Sequence, residues 1–207
     1  MHATSVLVFG AGGHGRVVAE VVQASGHTVE GFLDDSVAAG TRVLNWSVLG
    51  GAAWLEKQPP RIIALGLGNN VTRQNVASEL LTRGHSLPVF IHPSAVISPS
   101  ARLGDGTVVM PRVVVNAEAG VGNGVILNTA CIVEHECIVG DFAHLSPQSA
   151  LGGRAKVGMR THLGIGATLL QLARVGDDCV VGAGAVVLKE VANGLTVVGV
   201  PARELKR

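Results

Sequence analysis

The chain has 207 residues, of which 47% are hydrophobic and only 3% aromatic, and glycine occupies 28 positions. The net charge is +1 and the sequence carries no basic stripe, which argues against a nucleic-acid-binding protein. No apolar stretch reaches the ~18 residues that cross a bilayer, so we expect no membrane segment. The N-terminus lacks the features of a signal peptide, and three cysteines fit reduced thiols, so we expect a cytoplasmic protein.

Residues 1–92 alternate between predicted strands and helices. The predicted strands are 5–10, 27–35 and 61–69, the predicted helices are 15–26 and 70–84, and 43–58 is predicted to be a helix together with the segment that leads into it. This alternation predicts a small parallel sheet with helices packed on it. The segment 91–101 is predicted to be a linker.

From Ile97 the pattern changes to a repeat of six residues. Every sixth position holds an aliphatic residue, and the position four further on is small or Val. The aliphatic positions are Ile97, Leu103, Val109, Val115, Val121, Leu127, Val133, Val139, Leu145, Leu151, Val157, Leu163, Leu169, Val175, Val181 and Val187. Glycine adds a period of 18 at Gly104, Gly122, Gly140, Gly158 and Gly176, where we expect it to ease a corner. A hexapeptide repeat predicts a parallel β-helix over 97–187, with three hexapeptides in each triangular coil.

The repeat also assigns the three cysteines. Cys131, Cys137 and Cys179 all occupy the small inward position. We therefore predict buried thiols that pack as small hydrophobic side chains rather than a metal-binding pair.

The sequence resembles bacterial nucleotide-sugar acyltransferases of the PglD/NeuD type over almost its whole length. The motifs that carry the resemblance are GAGGHG at 10–15, LDD at 33–35, LGLGNN at 65–70, NT followed by EHEC within 128–137, GDFAHLSP at 140–147 and VVGVPAR at 197–203. The resemblance implies an α/β Rossmann-like half, residues 1–92, that binds a nucleotide sugar. It also implies a left-handed parallel β-helix, residues 93–207, and a homotrimer with active sites between protomers.

Gly10, Gly12 and Gly15 form a G-x-G-x-x-G turn after a predicted strand, and Asp34 and Asp35 end the next strand. This spacing is the dinucleotide fingerprint, so NAD is one interpretation, and a glycine turn that only packs a helix is another.

The resemblance implies a UDP-linked sugar at this turn instead of NAD. It implies that Gly12, Gly13 and His14 bind the sugar and phosphates and that Asp34 and Asp35 bind the nucleoside. Gly68 is expected near the same bound ligand.

A histidine in the repeat, His135, is the candidate general base for acyl transfer, because this reaction needs a base that titrates near neutral pH. It is predicted to point outward near a corner, and a solvated surface histidine is the alternative. The resemblance selects Glu136 as its carboxylate partner, with Glu134 as a neighbour. Asn128 is a candidate orienting partner near His135.

His144 and His162 are 18 residues apart, which stacks them on adjacent coils. Ile126 and Val180 flank them in the same column, so no further ligand completes a metal site and none is expected. The resemblance implies acetyl-CoA as co-substrate, with His144 at the thioester and Ile165 and Ala183 lining the pantetheine channel. It gives no role to His162, which we expect at the surface or an interface.

Together these expectations describe an acetyl-CoA-dependent N-acetyltransferase for a nucleotide-linked amino sugar in bacterial glycan biosynthesis. A UDP-4-amino-4,6-dideoxy sugar is the expected substrate, and GDP- or dTDP-linked amino sugars are alternatives. O-acetylation of a sialic-acid-type sugar, an NAD-binding module and an inactive solenoid are competing interpretations.

Overall fold

The computed structural model describes residues 4–206. Residues 1–3 and 207 lie outside the described residues. These positions include the first and last residues of the two predicted domains and the start of the segment for which no signal peptide is expected.

The N-terminal half is a five-stranded sheet with helices packed on it. Its strands run in the order β3-β4-β2-β1-β5, and all neighbours are parallel except β3 and β4. The elements are β1 (Ser5–Phe9), α1 (Gly13–Ala24), β2 (Thr28–Leu33), β3 (Arg42–Val43), β4 (Trp46–Gly50), α2 (Ala52–Leu55), β5 (Ile63–Leu65) and α3 (Asn70–Thr82). The predicted alternation of strands and helices is confirmed for β1, α1, β2, β5 and α3.

The prediction of a helix and its approach over 43–58 is correct for four residues only. This segment begins with a tight hairpin, in which Leu44 adopts a positive φ of 52° between β3 and β4. Val48 of β4 is 1% exposed and lies beside Phe32 of β2, so burial in the sheet outweighs helix propensity there. Only the four residues of α2 are helical.

The C-terminal half is a parallel β-helix of short strands that form three faces. Face A contains β6 (Phe90–Ile91), β9 (Val108–Val109), β12 (Ile126–Leu127), β15 (His144–Leu145), β18 (His162–Leu163), β21 (Val180–Val181) and β24 (Thr196–Val198). Face B contains β7 (Val96–Ile97), β10 (Val114–Val115), β13 (Ile132–Val133), β16 (Ala150–Leu151), β19 (Thr168–Leu169) and β22 (Val186–Val187). Face C contains β8 (Arg102–Leu103), β11 (Gly120–Val121), β14 (Ile138–Val139), β17 (Lys156–Val157), β20 (Arg174–Val175) and β23 (Glu190–Val191). A final strand, β25 (Arg203–Glu204), pairs antiparallel with β24.

Strand pairing extends the repeat beyond both predicted ends. Phe90 pairs with Val108, 18 residues on, so residues 91–101 belong to the first coil and do not form a separate linker. The last coil is shorter, because Val180 pairs with Thr196, and this loss of two residues ends the six-residue register after Val187.

The predicted core of the β-helix is confirmed. From Val109 to Val187 the aliphatic position of each hexapeptide is at most 5% exposed. Each such side chain contributes roughly 1.5–3 kcal/mol by leaving water. The three cysteines are free and buried, as predicted, and burial raises the pKa of the Cys131 thiol to about 12.

The corners contain positive φ angles every six residues, but the glycines of period 18 are not at those positions. Non-glycine residues such as Glu136 and Arg154 adopt φ values of 58° and 61° there. The glycines of period 18 lie two residues earlier, where space is short: a Cβ on Gly104 or Gly140 would lie 2.6 Å from backbone atoms of the next coil. Glycine is therefore required by close stacking of coils and not by corner conformation.

The N-terminal half covers the upper part of face A. Phe90, Val108 and Ile126 point out of the β-helix, yet each is 1% exposed. Helix α1 contacts β6, and Arg73 of α3 donates to carbonyl groups of the β-helix. The two halves therefore meet along face A, and His144 lies partly buried at the edge of this contact.

Candidate active site

The glycine-rich turn after β1 contains two kinds of glycine. Gly10 has a φ of 107°, and a Cβ there would lie 2.7 Å from the Gly66 carbonyl oxygen. Gly15 packs directly against the Gly10 backbone, so these two glycines are needed for strand–helix packing. Gly12 and Gly13 have no atom within 4 Å of a Cβ position. The fold does not require glycine there, and the turn presents open backbone at the start of α1.

The two acids after β2 form part of the framework of this turn. Asp34 accepts from the Ala11 backbone N–H at 2.8 Å and from both the N–H and hydroxyl of Ser36. Partial burial opposes ionisation of Asp34, but the hydrogen bonds from Ser36 and Ala11 hold its pKa below the usual value. Asp35 accepts from the Ala52 N–H at 2.8 Å and is exposed. Both carboxylates therefore fix neighbouring loops around the turn.

Arg73, which was not predicted from the sequence, joins the two halves below this turn. It is 0% exposed and pairs with no acid among residues 4–206. Its guanidinium donates instead to backbone carbonyl groups on both sides, those of Leu67, Gly68, Gly124, Phe142 and Ala143. Burial lowers its pKa to about 10, so it remains charged at neutral pH. It ties the loop at Gly68 to the backbone just before His144.

Three histidines follow one another from the turn along face A. The ring centroids of His14 and His144 are 6.2 Å apart, and those of His144 and His162 are 4.7 Å apart with nearly parallel planes. Asn128 contacts the His144 ring nitrogen Nε2 at 3.1 Å, and the Ser146 hydroxyl contacts His162 Nε2 at 2.8 Å. We call His14, His144 and His162 the histidine column.

The histidine column is neutral at physiological pH. Burial, assisted by the charge of Arg73, lowers the pKa of His14 to about 4. Burial and the neighbouring His162, Arg73 and His14 lower that of His144 to about 3, and burial also lowers that of His162. Among the described residues, His14 Nε2 and His144 Nδ1 are buried without a hydrogen-bond partner. Such atoms are rare in folded proteins and are available to a ligand.

His135 lies elsewhere, on the corner between faces B and C. Its Nδ1 is 3.0 Å from Glu136 Oε2, and its side chain is 55% exposed. Glu134 reaches only the backbone N–H of His135, at 3.3 Å. Arg154, one coil further, donates from Nε to the same Glu136 oxygen at 2.9 Å. Hydrogen bonds from Arg154 and His135 lower the pKa of Glu136, so an ionised carboxylate faces the imidazole.

Gly153 lies directly beneath the His135 ring. A Cβ on Gly153 would be 2.5 Å from His135 Nε2 and 2.7 Å from Cε1. The absence of a side chain at position 153 therefore leaves room for the imidazole. Neither Gly153 nor Arg154 was predicted from the sequence, although both lie 18 residues after the His135–Glu136 pair, a signal that the repeat provides.

The corner with His135 and the face with His144 are on opposite sides of one β-helix. His135 follows a strand of face B and precedes one of face C, whereas His144 lies on face A. In a triangular coil, the corner between two faces is opposite the third. Within one chain, Asn128 accordingly contacts His144 and not His135, because the six residues between positions 128 and 135 pass one corner.

Other residues singled out in the sequence lie along the same edges. Gly68 is exposed beside α3, and its carbonyl accepts from Arg73 at 3.2 Å. Ile165 and Ala183 are exposed one coil apart on the corner between faces A and B, with Ile165 59% exposed.

The region described by the structure contains no group of three or more His, Cys, Asp or Glu side chains arranged to hold a metal. It also contains no helix long and apolar enough to cross a membrane.

Comparison with known proteins identifies the family. A family model described as the PglD N-terminal domain matches residues 5–80. The acetyltransferase domain of PglB from Neisseria gonorrhoeae FA1090, solved with acetyl coenzyme A, is 39% identical, and the superposition covers 98% of this chain and 100% of that one with a TM-score of 0.94. This chain belongs to the PglD-type acetyltransferases.

Further members of the PglD-type acetyltransferases extend this relationship. PerB from Caulobacter crescentus, solved with CoA and GDP-perosamine, is 38% identical over 98% of this chain and 97% of its own, with a TM-score of 0.93. UDP-N-acetylbacillosamine N-acetyltransferase from Bacillus subtilis strain 168 is 33% identical over 110 residues. That match spans about half of each of the two chains, 51%. The predicted fold, a Rossmann-like half followed by a parallel β-helix, is confirmed.

Proposed function

We propose that this protein transfers an acetyl group from acetyl-CoA to the amino group of a nucleotide-linked amino sugar. The observation that carries the proposal is the exposed His135–Glu136 pair, a general base with an ionised carboxylate on its second ring nitrogen, in a PglD-type fold. Relatives of this chain were solved with acetyl coenzyme A and with CoA plus GDP-perosamine. Proteins of the same fold have therefore been solved with the expected acyl donor and with a nucleotide-linked sugar.

The proposed chemistry uses the free ring nitrogen of His135. The uncharged sugar amine attacks the thioester carbonyl carbon, a C–N bond forms, and His135 Nε2 accepts the amine proton. The C–S bond then breaks and the imidazolium returns that proton to the sulfur of CoA. Glu136 stabilises the imidazolium through Nδ1.

The remaining groups of the site bind the two substrates. The open backbone at Gly12 and Gly13, at the start of α1, suits the phosphates of the nucleotide sugar. If Asn128 donates to His144 Nε2, the His144 proton resides on Nδ1, which is then a buried donor for the acetyl group. His14 Nε2 is a second unpartnered atom near it, and Ile165 and Ala183 provide an exposed edge for the pantetheine arm.

We place the complete site between two protomers of a trimer. His135 and His144 face away from each other in one chain, so a neighbouring protomer must bring the His135 corner to the histidine column. The outward residues of face B support such packing because they are mostly apolar and partly exposed. They are Val96, Val114, Ile132, Ala150, Thr168 and Val186.

The proposed location of the protein is the cytoplasm. Acetyl-CoA and nucleotide sugars are cytoplasmic metabolites, and the free buried thiols suit that compartment.

A substrate panel tests the proposed activity. The protein is incubated with acetyl-CoA and UDP-, GDP- or dTDP-linked amino sugars, and released CoA is followed with a thiol reagent. We expect turnover with at least one amino sugar and N-acetylated product by mass spectrometry. An O-acetylated product, or no turnover with any amino sugar, would overturn the proposal.

A mixing experiment tests the site between protomers. His135→Ala and the double variant His14→Ala/His144→Ala are each expected to be nearly inactive. Co-expressed in equal amounts, they form mixed trimers in which about a quarter of the seams combine an intact His135 with an intact histidine column. Recovery of roughly that fraction of wild-type activity supports a shared site, whereas a site within one protomer would give no recovery.

A further inference from the structure

The Glu136 carboxylate has two partners on one oxygen. Oε2 accepts from Arg154 Nε at 2.9 Å and lies 3.0 Å from His135 Nδ1. Arg154 occupies the position one coil beyond Glu136, and both residues adopt the same positive-φ corner conformation. The repeat thus holds a guanidinium and an imidazole against the same carboxylate oxygen.

The charged groups around the imidazole can be counted from the coils packed against it. Glu136 faces its Nδ1, Glu134 reaches its backbone N–H, and Arg154 approaches from the next coil through Glu136. Gly153 beneath the ring carries no charge, and Ala117 occupies the equivalent position in the preceding coil. Arg154 is therefore the one cation linked to this ring among the described residues.

We infer that Arg154 is a positioning residue that acts on His135 through Glu136: it binds the same carboxylate oxygen and so weakens the attraction of Glu136 for the imidazole proton, which leaves the proposed base unprotonated at lower pH. This inference rests on the proposed function. A carboxylate alone beside an imidazole favours the protonated ring, and a cation bound to that carboxylate opposes the effect. A base that is unprotonated at working pH can accept the amine proton.

The experiment compares pH profiles of kcat/KM for the wild type and Arg154→Gln. Gln tolerates this corner conformation, since Gln148 has the same φ of 61°. We expect the acid limb to move to higher pH by roughly half a unit, which is about a threefold loss of activity on that limb, with little change on the plateau. Because the pair is exposed, the displacement should shrink at high salt. A loss of plateau activity with an unmoved acid limb would overturn the inference.

Two controls separate charge from structure. Arg112→Gln removes an arginine from another corner with the same φ of 61°, and Arg112 takes part in no ion pair among residues 4–206, so its profile should match the wild type. In a Glu136→Gln background, Arg154→Gln should add no further displacement. A full displacement in that background would contradict the route through Glu136.

An NMR titration of the His135 ring in the unliganded protein separates this inference from the proposed function. Arg154→Gln should move the titration curve of the ring to higher pH even if no tested sugar is acetylated. An unchanged curve refutes the coupling whatever the activity is. Arg154→Lys, which keeps the charge without the guanidinium geometry, should fall between the wild type and Arg154→Gln.

Discussion

The His135 corner and the histidine column use the same side chain in opposite surroundings. His135 is 55% exposed, and its Nδ1 lies 3.0 Å from the ionised carboxylate of Glu136. His14 and His144 are partly buried near a charged arginine, and their pKa values fall to about 4 and 3. A histidine that must accept and return a proton needs the first environment. The second suits histidines that stay neutral and bind through hydrogen bonds.

The difference arises from where each histidine lies in the repeat. Corner residues project outward from the coil, so within one chain His135 meets only its immediate neighbours and the coil below. His144 is on a strand of face A, where the N-terminal half brings His14 and Arg73 close to it. The added half thus converts an outward strand position into a buried polar site.

The largest expected effect is the loss of activity when the proton acceptor is removed. His135→Ala should lower kcat by roughly 10²–10⁴-fold, because a positioned general base contributes that much. Since the side chain is exposed, the free energy of unfolding should change by less than about 0.5 kcal/mol. Steady-state kinetics and urea unfolding measure the two quantities, and near-normal turnover would remove His135 from the proposed role.

The histidine column predicts a loss of stability in mild acid. In the unfolded chain each histidine binds a proton near pH 6.5, whereas folded His14 and His144 stay neutral down to about pH 4 and pH 3. The unfolded state therefore binds more protons, and the stability that is present above pH 6.5 is lost as the pH falls toward those values. We expect the free energy of unfolding to fall by roughly 2–4 kcal/mol between pH 7 and pH 5.

Urea unfolding at fixed protomer concentration across this pH range checks the loss. His144→Gln should make the fall shallower by about one proton, and His14→Gln should do the same. If both variants keep the wild-type slope, the acid sensitivity comes from different groups and the column is not the neutral cluster described above.

The β-helix could be predicted from sequence because each hexapeptide repeats the same local rule. An aliphatic side chain every six residues indicated the buried positions from Val109 to Val187 without any knowledge of distant contacts. The segment 43–58 was mispredicted because its conformation depends on pairing with β2, a contact that local helix propensity does not contain.

The candidate site shows the same division between local and distant information. His135 and Glu136 are neighbours in sequence, and their contact follows from the chain itself. Arg73 is 51 residues from Gly124 and 69 from Phe142, so nothing in its sequence context indicated that it binds their carbonyl groups. Asn128 contacts His144 within one chain because a corner of the coil separates position 128 from position 135, so its predicted place near His135 depends on the neighbouring protomer of the proposed trimer and stays a prediction.

The smallest of the three effects tests whether the His135 corner depends on the coil beneath it. Gly153→Ala places a Cβ 2.5–2.7 Å from the imidazole, and the ring is the part that can move. A displacement near 1 Å of a reacting group can cost up to about 100-fold, so we expect kcat to fall by roughly 10–100-fold. Stability should change little, because Gly153 does not require a positive φ and the ring moves toward solvent.

Gly120→Ala is the matched control, since Gly120 also lacks a positive φ and a Cβ there meets no atom within 4 Å. Its kinetics should equal those of the wild type. If Gly153→Ala reduced stability and activity together, the coil itself would have shifted. A fall in kcat at unchanged stability would instead show that the open space at Gly153 serves the base, and that the exposed corner is organised as closely as the buried column.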